Sequence, residues 1–296
     1  MLYELKQKIM NSRWGEQFAR WLEKTPMFPI CYRLVWMMGA ADPRLGPCGV
    51  TKEESKKYFE ENKDKIHQVV SLLADKKSKK MFLASIKDRM SGFFPPLGSY
   101  HDQYFPKGII HLSDDEVFVD CGTYIGDTIA KFREMTNDHY KKIVAFEPDP
   151  ICRQKILDQK IARCEVLPYG VWDHKETQTF CANGKGSSIV EDLAQGKENL
   201  VQGTEKITIF LEKIDDLKQC ADMTFLKMDI ENAELNALKG AEQTIRRQRP
   251  KMAICIYHSN QHMLEIPLWI ASLNMGYTLY VRHHSSGVMD SVLYAV

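Results

Sequence analysis

Val117-Phe118-Val119-Asp120-Cys121-Gly122-Thr123-Tyr124-Ile125-Gly126-Asp127-Thr128 is the stretch whose reading decides the fold. An apolar β-like run enters a turn with glycines at Gly122 and Gly126, and an amphipathic segment follows. Glycines let backbone come close to a ligand, and a helix N-terminus presents unpaired N–H groups. The spacing is not the Gly-x-Gly-x-x-Gly of dinucleotide folds, whose pyrophosphate sits on that helix end. Asp120 and Asp127 flank the turn instead. Carboxylates suit a cationic or hydroxyl-bearing ligand and repel a pyrophosphate. The plain alternative is a strand–helix corner that binds nothing.

Two further stretches lie downstream. Val144-Ala145-Phe146-Glu147-Pro148-Asp149-Pro150 puts an acid at the end of the next strand, where a carboxylate can accept both hydroxyls of a ribose. The competing role for Glu147 or Asp149 is to cap the helix that starts near Pro150. Phe225-Leu226-Lys227-Met228-Asp229-Ile230-Glu231-Asn232-Ala233-Glu234 ends an apolar strand in a cluster of acids. Ligands collect beyond strand C-termini in open α/β sheets, and Asp229 is best placed to face that crevice. Glu234 falls in the first turn of the next helix, where an acid is favoured in any case.

The rhythm around these stretches is that of βαβ units and a parallel sheet. Expected strands are Val117–Cys121, Lys142–Phe146, Glu165–Tyr169, Thr224–Met228 and Lys251–Tyr257. Helical patterns cover Thr128–Met135, Ile151–Lys160, Ala233–Arg246 and Met263–Leu273. Thr177–Ala182 and Lys206–Leu211 read as extra strands around a polar loop, and Tyr277–Val281 with Val288–Ala295 as a closing antiparallel pair. Residues 1–106 read differently, as a helical front. Trp14, Phe18, Trp21 and Leu22 recur at helical spacing, and prolines then punctuate the chain. Thr51 and Glu54 form a capping box that opens a long helix with an apolar stripe through Tyr58, Phe59, Ile66, Val69, Val70, Leu72 and Leu73. The cluster Lys76-Lys77-Ser78-Lys79-Lys80 precedes another helical pattern through Met81, Ile86 and Met90, and Phe93–Pro106 reads as the linker.

Composition excludes whole classes. A chain of 296 residues with 44% hydrophobic and 27% charged residues is globular, not disordered or low-complexity. Its net charge of +1 gives no global reason to bind nucleic acid. That figure hides a split: residues 1–115 carry 19 Lys/Arg against 14 Asp/Glu, and residues 116–296 carry 21 against 25. Eight scattered cysteines without a Cys-x-x-Cys pair support neither a zinc cluster nor a dithiol redox site. Reduced thiols in a cytoplasmic protein are expected. The start, Met1-Leu2-Tyr3-Glu4-Leu5-Lys6, lacks the pattern of a secretory signal. The apolar stretch Met27–Ala40, interrupted by Arg33, is short of the ~20 residues that cross a bilayer. It reads as a buried or interfacial helix, with peripheral membrane contact as the minor option.

Taken in order, Asp120-x-Gly122-x-x-x-Gly126-Asp127-Thr128, Phe146-Glu147-Pro148 and Lys227-x-Asp229-x-Glu231-x-x-Glu234 resemble the FkbM family of S-adenosylmethionine-dependent methyltransferases. The likeness runs over roughly residues 110–296. It implies a class I methyltransferase domain over residues 107–296: a Rossmann-like α/β sheet of seven strands, the last antiparallel, preceded by the helical region 1–106, which would serve the acceptor or assembly. By the same likeness Asp120, Gly122, Gly126, Asp127, Thr128, Glu147 and Asp229 would bind the cofactor, with S-adenosylhomocysteine as product. Gly122 and Gly126 would line the methionine side and Glu147 would hold the ribose. Family activity is O-methylation, commonly of sugars in glycans, glycolipids or secondary metabolites. One departure is visible: the family usually has glycine where this chain has Asn232. Asn tolerates left-handed backbone well.

A sugar hydroxyl is a poor nucleophile, so a general base or a metal is worth seeking. Asp229 and His258 are the candidate catalytic residues, emerging from neighbouring strands at one sheet edge. His258 as base competes with His258 as a structural hydrogen-bonding residue. A divalent metal on Asp229, Glu231 and His258 is conceivable from the pattern, but no metal site is assigned. At most one of His283 and His284 should face the site. The loop Asn183-Gly184-Lys185-Gly186-Ser187-Ser188 reads equally as a contact with ligand or as a hairpin tip. Expected partners are a small-molecule or glycan acceptor and, as an open option, further copies of the chain. Two other functions compete: an NAD-dependent oxidoreductase on a Rossmann sheet, and a non-catalytic scaffold of methyltransferase-like fold.

Overall fold

The computed structural model describes residues 51–91, 103–182, 188–189, 205–284 and 289–296. The expectations for residues 1–50, most of the 93–106 linker and the 183–187 loop lie outside the described residues. Strand β1 (Val117–Cys121) is buried along its whole length. A continuous apolar run of that kind belongs in the middle of a parallel sheet covered on both faces. It pairs in parallel with β2 (Lys142–Phe146) on one side and with β8 (Phe225–Met228) on the other.

Between β2 and β8 come β3 (Cys164–Leu167), β4 (Tyr169–Val171), β5 (Glu176–Ala182), β6 (Ser188–Ile189) and β7 (Glu205–Glu212). After β8 come β9 (Lys251–Cys255), β10 (Leu279–His283) and β11 (Ser291–Ala295). The main sheet has the order β10-β11-β9-β8-β1-β2-β3. Only β11 runs against its neighbours, pairing antiparallel with both β9 and β10. This is the seven-stranded class I methyltransferase sheet. The expected antiparallel ending is present, with β10 shifted two residues downstream of the sequence reading.

Three expected elements divide. The strand read as Glu165–Tyr169 becomes β3 and β4, parted at Pro168, which has no N–H to continue a ladder. β4 leaves the main sheet and pairs with β7, founding a second sheet of order β4-β7-β5-β6. The helix read as Ala233–Arg246 becomes α6 (Glu234–Lys239) and α7 (Glu242–Gln248). Between them Gly240 lies flat on the chain: a Cβ there would sit 2.0 Å from the Trp172 carbonyl oxygen. The long helix opened by Thr51 is α1 (Lys52–Glu61) and α2 (Lys63–Leu72), parted at Asn62, whose φ of −113° and ψ of 29° leave the helical region. Its capping box is formed, Thr51 Oγ1 accepting the Glu54 N–H at 3.1 Å and Glu54 accepting the Thr51 N–H at 2.7 Å.

Helix α3 (Lys76–Ser91) packs on β10, and α2 packs on α8 (Asn260–Ser272). Phe59, Ile66, Val69, Met81, Phe82 and Ile86 of these front helices share one apolar cluster with Val119, Met252, Ile254 and Val281 of the sheet. Leu73 bridges Leu279 in parallel, so the α2–α3 junction covers the edge of β10. On the other face, helices α4 (Asp127–Thr136) and α5 (Pro150–Asp158) cover an aromatic cluster. Phe118 stacks there on Phe132 and Phe225, with centroids 4.5 and 5.1 Å apart.

Candidate active site

The carboxyl ends of β1, β2, β8 and β9 open into one cavity of about 540 Å³. Its floor is built from the turn after β1. Gly122 has a φ of +80°, and a Cβ there would lie 1.9 Å from the Asp229 carbonyl oxygen, so only glycine lets the β1 and β8 ends approach. Gly126 has a φ of +88° and forms the N-cap of α4. It does not line the cavity; it turns the chain so that Asp127 and Thr128 do. Two strands of the second sheet close the side, Tyr169, Gly170 and Val171 from β4 with Ile209 and Leu211 from β7.

Asp120 stands elsewhere than a ligand contact requires. It is fully buried inside β1, opposite Lys227 in the parallel register, and takes an ion pair from the Lys227 ammonium at 2.9 Å. Lys227 also donates to the Gly122 carbonyl at 2.8 Å. Burial opposes the ammonium's charge, but the Asp120 and Asp229 carboxylates outweigh it and hold Lys227 above the ordinary amine range. This pair staples the floor. Neither residue stood out in the sequence as a partner of the other.

Glu147 lines the cavity beyond β2. Its Oε2 accepts the Tyr124 N–H at 2.7 Å and its Oε1 accepts the Asp149 N–H at 2.9 Å. Each oxygen keeps further lone-pair capacity for a ligand hydroxyl. Burial pushes the carboxyl up to about 7, against those two N–H groups. The capping role falls to Asp149, which accepts the Ile151 and Cys152 N–H groups at the start of α5.

Asp229 sits at the other end. Its Oδ2 accepts the Tyr104 hydroxyl at 2.7 Å and its Oδ1 accepts the Tyr257 hydroxyl at 2.9 Å. Both tyrosines line the cavity, and sequence reading had missed them. Tyr104 fell in a stretch read as linker, and Tyr257 counted only as a strand residue. A φ of +67° at Tyr104, rare for an aromatic residue, marks the turn that aims its ring. Burial raises Asp229, but His258 and Lys227 outweigh it and keep its carboxyl below the usual range.

His258 does not line the cavity; its side chain is 1% exposed behind Asp229. Nδ1 lies 2.8 Å from Glu234 Oε1, and Nε2 lies 3.4 Å from Asp229 Oδ1 and 3.5 Å from Glu231 Oε2. An imidazole facing carboxylates on both nitrogens is satisfied only with a proton on each. Burial opposes that charge, yet Glu234, Asp229 and Glu231 lift the ring to about 9. A group already protonated at neutral pH takes up no proton. Glu234 also accepts the Ile230 N–H at 2.8 Å and faces His262 Nδ1 at 3.0 Å, so one buried carboxylate orients two histidines and the loop after β8. Asp229, Glu234 and His258 offer ligand atoms within 4.8 Å of one another.

The loop between β8 and α6 is bent by Glu231 and Asn232, with φ of +54° and +80°. The left-handed backbone expected at Asn232 is therefore present without the usual glycine. His283 and His284 are buried away from the cavity, bonded to Ser291 at 2.9 Å and to Tyr294 at 2.7 Å. The front helices reach the same region from behind. Arg89 of α3 donates to Asn260 Oδ1 at 3.0 Å and to the Tyr257 carbonyl, bracing the chain that carries Tyr257 and His258. Among the described residues no helix is long and apolar enough to cross a membrane.

A family model described as the methyltransferase FkbM domain matches residues 120–279. The crystal structure of a methyltransferase FkbM from Methylobacillus flagellatus KT superposes with a TM-score of 0.69 at 23% identity, covering 96% of this chain and 71% of that one. At that identity the likeness speaks for the fold alone. A fibrillarin/Nop5p complex (TM-score 0.37, 12% identity, 64% of this chain and 76% of that one) and an rRNA methylase from Streptococcus thermophilus (0.35, 14%, 62% and 88%) are too distant to bear on this chain. No curated protein sequence matches it.

Proposed function

The chain belongs to the FkbM methyltransferase family, and from that premise we propose that it transfers the methyl group of S-adenosylmethionine to a hydroxyl oxygen, with a sugar as acceptor. The observation that carries this reading is the division of one cavity between two differently prepared carboxylates. Glu147, fixed by two backbone N–H groups, suits a ribose; Asp229, fixed by two tyrosine hydroxyls, suits a reacting hydroxyl.

The residues fit a nucleoside that carries a positive charge. Gly122 and Thr128 give close backbone approach beside Glu147, and Asp127 stands at the first position of α4. That acid occupies the place a pyrophosphate would need, which counts against the NAD-dependent alternative. The cofactor, when bound, supplies an electrophilic methyl on a sulfonium. Asp229 then has two tasks: to accept a hydrogen bond from the acceptor hydroxyl, and to take its proton as the oxygen forms its new bond. Tyr104 and Tyr257 hold both carboxylate oxygens in place, so orientation is set before the acceptor arrives. His258 is a positioning residue in this scheme, a buried cation beneath Asp229 and Glu231, and Asp120 positions the floor through Lys227. A scaffold needs none of this ionised, pre-oriented machinery.

Calorimetry with S-adenosylmethionine, S-adenosylhomocysteine and NAD tests the cofactor. Labelled S-adenosylmethionine with saccharides, glycolipids and nucleotide sugars tests the acceptor. Binding of the two methionine-derived ligands but not NAD is expected, followed by label on an acceptor oxygen. NAD binding alone would overturn the reading, and cofactor binding without transfer to any hydroxyl would leave the scaffold.

A further inference from the structure

The end of the cavity around Asp229 is built as a continuous polar rim. Gln103 Nε2 donates to Asp290 Oδ1 and to the Tyr104 hydroxyl, both at 3.2 Å. Tyr104 donates to Asp229, and Tyr257 donates to it from the other side. Four separate pieces of chain thus meet in one hydrogen-bonded arc: the segment before β1, the end of β8, the end of β9 and the segment before β11. Met289, 40% exposed, adds an apolar contact beside Asp290. Hydroxyls and an amide alternating with carboxylates form the surface that sugar hydroxyls pair with, and a flexible thioether packs against a ring's C–H face.

The charge of this arc is one-sided. Asp229, Glu231 and Asp290 line it, while Lys227 is the single Lys or Arg among the described lining residues and is committed to Asp120 and the Gly122 carbonyl. Resting on the methyl-transfer reading, we infer that the Gln103–Tyr104–Asp229–Tyr257–Asp290 arc is the acceptor subsite and takes a sugar ring that carries no anionic substituent. A carboxylate or phosphate on that ring would lie beside Asp229, Glu231 and Asp290, and among the described residues the cation nearest these acids, His258, is buried behind Asp229 and outside the cavity lining; like-charge juxtaposition of this kind is strongly unfavourable. A neutral or ammonium-bearing ring meets carboxylate acceptors at Asp229, Glu231 and Asp290.

Matched probes test this. Methyl glucoside, glucosamine, glucuronate and glucose 6-phosphate are offered with labelled S-adenosylmethionine to the wild type and to Asp290→Lys, with S-adenosylmethionine affinity titrated on both proteins. The wild type should favour the first two over the two anions by at least ~100-fold in kcat/KM, and Asp290→Lys should narrow that gap at least ~10-fold. Equal use of the anions, or an unchanged gap in the variant, overturns the inference. Should no probe accept label, binding of sinefungin, which carries an ammonium at the transferable position, is compared with that of S-adenosylhomocysteine. Tighter binding of sinefungin by at least ~10-fold, reduced in Asp290→Lys, supports an anionic arc, and equal binding of the two overturns it. Failure of the underlying reading looks different: neither cofactor form binds at all, and the inference falls with it.

Discussion

Tyr104 and Asp229 stand 125 residues apart in the chain and meet through a 2.7 Å hydrogen bond at one end of the cavity. A hydrogen bond to a charged group contributes roughly 1.5–3 kcal/mol. Tyr104→Phe should therefore lower turnover by roughly 10–100-fold, leaving S-adenosylmethionine affinity within about threefold. Asp229→Asn should cost more, about 10²–10⁴-fold, the range of a lost general base. Rates on one acceptor with cofactor titrations on each variant check both. Full turnover in Asp229→Asn would remove it as the base.

On the proposed function, Glu147 gives cofactor binding a pH dependence. Its carboxyl titrates at about 7, raised by burial from an ordinary 4.5. Ribose hydroxyls donate best to the ionised form, so S-adenosylhomocysteine affinity should fall as pH drops from 8 to 6. Glu147→Gln should weaken binding by about tenfold and flatten that profile. Calorimetry across this range decides, and an equally steep profile in the variant would assign the titration to another group.

His258 ties stability to pH with a definite sign. Its ring rises from 6.5 to about 9 on folding, so the folded state holds the extra proton between those values. The stabilisation, roughly 3 kcal/mol for a shift of this size, is complete below pH 6.5 and lost as pH rises through 9. The groups facing the ring are Glu234, Asp229 and Glu231, with the Tyr257 ring at 4.0 Å. Melting temperatures from pH 6 to 10 should fall in the wild type and change less in His258→Gln. Parallel curves would show that the ring is neutral in the fold.

Gly122→Ala isolates the floor. Its Cβ would enter the Asp229 carbonyl at 1.9 Å from a backbone with φ of +80°. Strain and displacement together should destabilise the fold by about 3 kcal/mol. Gly126→Ala meets only side chains, Gln159 at 3.2 Å and Ile156 at 3.7 Å, and should cost less, about 1 kcal/mol of left-handed strain. Denaturant midpoints for the two variants check the order, whereas glycines of equal weight in one motif would give equal losses.

The sequence carried the main sheet almost whole. Strands β1 and β2 have the expected bounds because their apolar runs are buried on both faces and leave no choice of period. The acids at the ends of β2 and β8 were legible for a similar reason: a polar residue closing an apolar strand has to emerge at the sheet's edge. Divisions at Pro168 and Asn62 were harder to see, since each was settled by local backbone inside a pattern that otherwise continues.

What Asp120-x-Gly122, Phe146-Glu147 and Met228-Asp229 determined alone was a crevice with acids around it at the carboxyl ends of parallel strands. Tertiary structure decided which acids enter it. Cross-strand register set Asp120 against Lys227 and made a staple of it, whereas Asp229, one residue past its strand, was left facing the cavity. Carboxylates on two sides made His258 a cation, and Tyr104 and Tyr257 arrived from distant chain to orient Asp229. Spacing along a chain reports on a residue's own element. The partners that fix its charge and direction come from other elements, through contacts no local pattern encodes.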